Sequence, residues 1–337
     1  MMKVLNVIPA TPGEGSGMIF AKRQVASVGS AGVDVVTFYL TSRVSVSSLW
    51  REWQQLREEI SKTKPDLIHA HYGTMTAFLC AFGTGLPLVI TYRGSDLNPT
   101  PNVSWLRSVW GRALSQLAAL RASKIICVSE GLKDRLLWRR SRVSIIPSGV
   151  NLALFFPRNR DEARAALGWS ATEKVVLFNA GAASRIKRLD LATAAFEYAS
   201  QRQPNLRFQV LNGTTNPDQV PVYLSAADCL LFTSDNEGSP NIIKEALACN
   251  LPIVTVPVGD VAVRVVGVEP TRIVARDPRL LGEAVLELLA LDGRSNGYEM
   301  VQIIGEEKLA HEIRALYEAA VQSTPFESNL SLQRDVR

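Results

Sequence analysis

Eleven short apolar runs separated by helical patterns extend along the chain, and this alternation admits few folds. Strands joined through helices run parallel, and a parallel sheet is covered on both faces, so its strands read as continuous Val/Ile/Leu runs. Two sheets are expected. KVLNVIPA, VDVVTFYL, DLIHAH, PLVITY, KIICVS and VSIIP predict strands beginning near residues 3, 33, 66, 87, 124 and 143. KVVLFNAG, LRFQVLNG, DCLLFTS, LPIVTV and TRIVA predict five more, beginning near 174, 206, 228, 251 and 271. Between the two sets, IPSGVNLALFFPRNRD (146–161) carries the Pro, Gly and Asn of a turn and linker. A chain of 337 residues has room for two such cores. Ligands of open α/β sheets bind beyond the carboxyl ends of the strands, so functional residues are sought there.

The segment SDNEGSPNIIKEALACNLPIVT (234–255) lies at such a strand end. Ser239 reads as an N-cap and Pro240 as the first helical residue, because serine accepts from orphan amides and proline lacks the hydrogen that would go unpaired. The helix start, Gly238 to Ile242 with Asn241 among its first residues, would then face outward beyond ADCLLFTS (227–234). Its amides and positive dipole end suit a diphosphate. Glu245 sits about one and a half turns inside and leans back toward the mouth, placed to accept from the vicinal hydroxyls of a ribose. Glu237, in the turn, would lie across the phosphates near any sugar they carry. A second strand end, NAGAASRIKRLDLA (179–192), puts Arg185, Lys187 and Arg188 at a helix start. Cations oppose the dipole there unless an anion is bound.

Glu237 and Glu245, bracketing Gly-Ser-Pro between a strand and a helix, resemble the Glu-x7-Glu signature of retaining, nucleotide-sugar-dependent glycosyltransferases of the GT-B fold. The resemblance implies an α/β chain of two facing, Rossmann-like, doubly wound domains with a cleft between them. It implies an acceptor-binding domain over 1–155, a nucleotide-sugar-binding domain over 156–300, and a last helix (301–321, within a helical pattern from about 295) packing back toward the first domain. Residues 322–337 are expected to be a tail. Lys187 matches the family's phosphate-binding lysine, which neutralises charge on the departing nucleotide; the usual arginine five residues earlier is Ala182 here. Gly13, Gly15 and Gly17 match a loop that lets backbone amides approach the donor. ITYRGSDLN (90–98) is similar to the family's His-Gly-x-Asp segment, with Arg93 in place of the histidine. Arginine offers permanent charge and donors only, so Arg93 is expected to grip a phosphate or an acidic acceptor. Asp96 is expected to fix the loop or contact the acceptor, and His71 to lie at a strand end beside it. The activity implied is glycosyl transfer to a hydroxyl with retained configuration, with no protein nucleophile evident, in synthesis of bacterial cell-surface polysaccharide or glycolipid. Two alternatives stay open: a non-catalytic nucleotide-sugar or glycan-binding module, given Arg93 and Ala182, and a nucleotide-sugar epimerase of the same fold.

Other features narrow the class. Cys80, Cys127, Cys229 and Cys249 are isolated and have no neighbouring histidine, as expected of reduced core residues in the cytoplasm. The opening MMKVLNVIPATPGEG is broken by Pro9 and Pro12, too short for a signal-peptide core, and LPIVTVPVGDVAVRVVGV (251–268) contains Asp260 and Arg264, so no spanning helix is expected. His69 and His71 alternate on one strand, which would turn their rings to opposite faces; no required divalent metal is expected. Residues 1–150 hold 18 Lys/Arg and 9 Asp/Glu, net +9, leaving +5 − 9 = −4 for the rest. The excess concentrates in 105–142, where nine basic residues face only Glu130 and Asp134 and are interleaved with Trp105, Trp110 and Trp138. Basic helices with tryptophan anchors suit an anionic membrane surface. The expectation is a cytoplasmic protein, peripheral on the inner membrane face, acting on a carbohydrate or lipid-linked acceptor. Without a recognition motif, nucleic acid is not expected as a partner.

Overall fold

The computed structural model describes residues 1–11, 18–41, 45–99, 104–181 and 184–323. They form two compact units: Met1–Cys127, Lys133–Ile145 and Ala310 onward make the first, and Val128–Leu132 with Ile146–Leu309 the second. The boundary therefore falls ten residues before the expected 155. The turn after residue 145 belongs to the second unit, where Val150 bridges to Gly305 and Gly149 leaves room for Glu306.

The first unit holds a six-stranded sheet of β1 (Lys3–Ile8), β2 (Asp34–Tyr39), β3 (Leu67–Ala70), β4 (Leu88–Tyr92), β5 (Lys124–Cys127) and β6 (Val143–Ile145), in the order β2-β1-β3-β4-β5-β6. Its helices are α1 (Ile19–Ser30), α2 (Val46–Thr63), α3 (Thr74–Gly83) and α4 (Trp105–Arg121); the short α5 (Glu130–Lys133) after β5 falls mainly in the second unit. Every pairing is parallel. The starts agree with the sequence to within a residue because β1, β3, β4 and β5 are buried on both faces and so are apolar throughout.

The second unit has a five-stranded parallel sheet of β7 (Lys174–Gly181), β8 (Leu206–Asn212), β9 (Cys229–Phe232), β10 (Ile253–Thr255) and β11 (Thr271–Ile273), in the order β11-β10-β9-β7-β8. Around it run α6 (Arg160–Leu167), α7 (Ser184–Lys187), α8 (Leu189–Ser200), α9 (Val220–Ala226), α10 (Asn241–Ala248), α11 (Val261–Arg264), α12 (Pro278–Leu291) and α13 (Gly297–Val301), while α14 (Glu306–Gln322) starts in this unit and from Ala310 belongs to the first. Val176, Phe178, Cys229, Leu231 and Val254 of the sheet pack with Ala192 and Ala195 of α8 and Leu281, Val285 and Leu288 of α12. Each fully buried aliphatic or aromatic side chain contributes about 1.5–3 kcal/mol. Local chemistry sets the helix ends: Asp277 accepts from the amides of Arg279 and Leu280 with Pro278 at the first position, and Gly168 closes α6 at φ 67°. The single last helix expected from about 295 is divided, since α13 runs into a 3-10 turn (Gln302–Ile304) and the chain restarts after Gly305. Gly305 extends at φ −58°, ψ 140°, outside the helical region.

Among the described residues no helix is long and apolar enough to cross a membrane, and no group of three or more His, Cys, Asp or Glu is placed to hold a metal ion. All four cysteines are buried and none is in a disulfide. Burial pushes the Cys80 and Cys249 thiols up to about 12.

Candidate functional site

In the second sheet β7 pairs with β8 on one side and β9 on the other, so the strand order reverses between β7 and β9. The loops leaving their carboxyl ends diverge there, and such a switch point is where doubly wound sheets bind ligands. Both candidate clusters of the second unit lie at this point. Thr233 Oγ1, just past β9, donates to the carbonyls of Lys187 (2.8 Å) and Arg188 (3.1 Å), and the Asp235 amide donates to Ile186 O at 3.0 Å. The two loops are thereby stitched together. Lys187 Nζ makes an ion pair with Glu237 Oε1, which also accepts from Ser234 Oγ at 2.9 Å. The Lys187 ammonium lies 5.6 Å from the centre of the Phe232 ring.

Several local expectations need correction. Arg185, Lys187 and Arg188 do not share one helix start: α7 spans four residues, and Arg188 in the left-handed region (φ 57°) separates it from α8. Arg188 is held by the carboxylates of Asp190 (2.9 Å) and Asp235 (3.2 Å), so no bound anion is needed to offset its charge. Those two partners hold its guanidinium well above the ordinary arginine range. Asp235 is shared with Arg276, whose Nη2 also donates to Ser234 O at 2.8 Å. Arg185 is exposed on α7.

Ser239 is not the N-cap of α10, and Pro240 is not helical. Pro240 itself is the cap residue, at φ −69° and ψ 124°, and Asn241 opens the helix. The Ser239 hydroxyl turns instead to Lys244 Nζ (3.3 Å), which donates to Ser148 O at 2.7 Å. Lys244 is 1% exposed and ties the Ser148 turn to the Ser239 turn. No side chain caps the first turn of α10, where Asn241 and Ile242 lie. Glu245 is half-buried in the same helix. The turn is shaped from a distance by Gly259, at φ 58°: a Cβ there would lie 2.9 Å from the carbonyl oxygens of both Glu237 and Gly238. Asp260 N donates to Gly238 O at 3.2 Å. Neither Lys244 nor Gly259 was found from the sequence; the only signal was a lysine inside the Glu-x7-Glu span and a glycine in the next strand–helix turn.

The first unit has its own switch point, between β1 and β3. Gly13, Gly15 and Gly17 of the loop after β1 lie outside the described residues, as does Ala182. His69 and His71 stack with ring centroids 3.9 Å apart, contrary to the opposite-face expectation. Strand side chains alternate with a period of two, so His69 and His71, two residues apart, line the same face. His69 bridges the Tyr317 hydroxyl (2.6 Å) and the Thr91 hydroxyl (2.7 Å), and His71 Nε2 faces Asn6 Oδ1 at 2.9 Å. Burial, with the nearby Arg93 charge, pushes His69 down to about 3; burial, then His69 and Arg93, holds His71 well below its ordinary value.

Arg93 is half-buried over the Phe20 ring (4.7 Å), donates to Gln24 Oε1 at 2.7 Å and meets His71 Nδ1 at 3.3 Å. Asp96 is wholly buried, and its carboxylate accepts from the amides of Gly73 (3.1 Å), Arg93 (3.0 Å) and Gly94 (2.8 Å). Of the two roles expected for Asp96, fixing the loop is the one its burial allows; His71, equally buried, also has no surface to offer an acceptor.

Residues 11–154 match the family model for Glycosyltransferase Family 4, and residues 174–291 match Glycosyl transferases group 1. The chain is a homologue of GT-B glycosyltransferases. Over 219 residues it is 28% identical to TuaC of Bacillus subtilis, a glycosyltransferase ascribed to teichuronic acid biosynthesis; the match takes in 59% of this chain and 54% of TuaC, about half its length. Sucrose-phosphate synthase of Thermosynechococcus elongatus has the same fold (TM-score 0.80, 19% identity, 96% of this chain and 100% of that one). So does HepE of Anabaena in complex with UDP-glucose (TM-score 0.75, 16% identity, 95% and 100%). The UDP-GlcNAc 2-epimerase of Neisseria meningitidis also shares it (TM-score 0.63, 16% identity, 94% and 100%), so the fold alone does not separate transfer from epimerisation.

Proposed function

We propose that this homologue transfers a glycosyl group from a nucleoside-diphosphate sugar to a hydroxyl acceptor with retention of configuration, without a required divalent metal. The observation that carries the reading is the Lys187–Glu237 pair, held across the β7/β9 switch point beside the side-chain-uncapped start of α10. The donor diphosphate would lie against Lys187, Arg185 and the amides from Gly238 to Ile242, Lys187 exchanging Glu237 for phosphate as the donor enters. Glu237 is then released toward the sugar hydroxyls, and Glu245 accepts from the ribose. No protein nucleophile is assigned. The departing phosphate oxygen takes the acceptor proton as the hydroxyl attacks the same face of the sugar, and Lys187 balances the charge left on the diphosphate. Arg93, held by Gln24 and His71, supplies a fixed positive charge in the first unit. The likeness to TuaC supports a role in cell-surface polysaccharide or glycolipid synthesis, and the fold of UDP-glucose-bound HepE supports a nucleotide-sugar donor.

Transfer assays across UDP-, GDP- and ADP-sugars in chelator, with the product's anomeric proton read by NMR, test the proposal. Lys187→Ala and Glu237→Gln are expected to lower kcat about 10²–10³-fold. An inverted product would overturn retention, and acceptor-independent epimerisation of the donor would replace transfer with the epimerase reading.

A further inference from the structure

We infer that α4 is an interfacial helix that lays its outer face on an anionic lipid bilayer. The observation is an inverted amphipathicity. The inner face of α4 is small and polar-anchored: Ser115 Oγ donates to Asp96 O at 2.8 Å, its carbonyl accepts from the Tyr92 hydroxyl at 2.6 Å, and Ala118 and Ala119 are fully buried. The outer face is apolar. Leu106, Trp110, Ala113, Leu117 and Leu120 are all exposed, Leu106 by 61% and Trp110 by 67%. Their spacings of four, three, four and three keep them within about 40° of one line at 3.6 residues per turn, a stripe about 21 Å long. Soluble monomers seldom leave so continuous an apolar strip in water.

The rim identifies the occupant. Helix α4 contains Arg107, Arg112 and Arg121 and no acidic residue. Gln116 clamps the following loop onto the helix, donating to Arg135 O (2.9 Å) and accepting from Leu137 N (3.1 Å), while its carbonyl accepts from the Trp138 indole (2.7 Å). The exposed Leu137 is thereby brought beside the stripe, together with exposed Arg135, Arg139 and Arg140. A second copy docked on this face would set arginine against arginine, which disfavours self-association. An anionic headgroup layer matches the rim and admits the tryptophans and leucines at its acyl boundary. This inference stands apart from the proposed chemistry, because lipid binding is read without donor or acceptor.

The test is flotation of the full chain with vesicles of phosphatidylcholine, alone or mixed with phosphatidylglycerol. The chain is expected to float with the mixed vesicles and to be released by salt. Trp110→Glu with Leu117→Glu should abolish flotation, and Arg107→Gln with Arg121→Gln should weaken it about 25-fold, about fivefold for each charge at about 1 kcal/mol per basic residue near an anionic leaflet. All four positions are solvent-facing or on the rim, and circular dichroism with the thermal midpoint verifies that the variants fold. Equal recovery with neutral and mixed vesicles, no flotation at all, or flotation indifferent to the variants would overturn the assignment. Concentration-dependent dimerisation that Trp110→Glu removes would overturn it in favour of a second copy.

Discussion

Replacing Gly259 by alanine probes the turn that carries Glu237 without touching a side chain of the site. Gly259 has φ 58°, where alanine is disfavoured by about 1–2 kcal/mol. Its new methyl would also lie 2.9 Å from the carbonyl oxygens of Glu237 and Gly238, closer than real contacts allow, so the turn has to move. Overpacking of this kind costs about 1–3 kcal/mol. The sum, about 2–5 kcal/mol, corresponds to a fall of roughly 5–15 °C in the melting midpoint for a unit of this size. A shift approaching 1 Å at Glu237 is expected to reduce kcat/KM about 10²-fold. Gly168→Ala is the matched control: it has φ 67° and nothing within 4 Å of the added methyl. That change carries the conformational cost alone, so it should lower the midpoint by only a few degrees and leave transfer unchanged. Differential scanning calorimetry and initial-rate assays on the two variants decide the matter. If Gly259→Ala is no worse than Gly168→Ala in both, Gly259 does not position the turn and the reasoning fails.

Three further outcomes are expected. Since the folded chain holds His69 and His71 neutral while the unfolded chain protonates both below pH about 6.5, stability should fall as pH drops from about 6.5 toward 5, by about 1.4 kcal/mol per pH unit for each histidine. Imidazole NMR at pH 5 should find both rings uncharged; a charged His69 would refute this. Asp96→Asn leaves one of the three amides facing an NH₂ group and should cost about 2–4 kcal/mol in urea unfolding, with a loss under 1 kcal/mol arguing against the loop-fixing role. Lys244→Met removes the charged hydrogen bond to Ser148 O and should cost about 1.5–3 kcal/mol by the same measurement, whereas wild-type stability would mean that the tie between the two turns is dispensable.

All eleven strands were legible because each is a short apolar run in a parallel sheet, and their starts differ from expectation by two residues at most. The same sequence logic brought Lys187 and Glu237 to adjacent strand ends, where they pair. The start of α10 was misplaced because the Ser239 hydroxyl answers to Lys244, itself bound to Ser148 almost a hundred residues earlier, a partner that no local cap rule anticipates. Arg188 adopts a left-handed backbone without a glycine to announce it, stabilised by Asp190 and by the distant Asp235. His69 and His71 stack because residues two apart along a strand line the same face, a period of two that the opposite-face expectation inverted. The basic, tryptophan-bearing character of 105–142 was visible in the sequence. Which face α4 turns outward was not, since both of its faces contain apolar residues and only the packing of Ser115, Ala118 and Ala119 selects the inner one.

The central claim is that a nucleoside-diphosphate sugar binds at the β7/β9 switch point, with its ribose on Glu245 and its phosphates beside Lys187. Isothermal titration of UDP-, GDP- and ADP-sugars into the wild-type chain and Glu245→Ala, in chelator, tests it most directly. One nucleotide series is predicted to bind the wild type and to weaken about 10–100-fold in the variant, as expected for losing hydrogen bonds to a carboxylate. Equal affinity for both proteins, or no binding of any series, would contradict it.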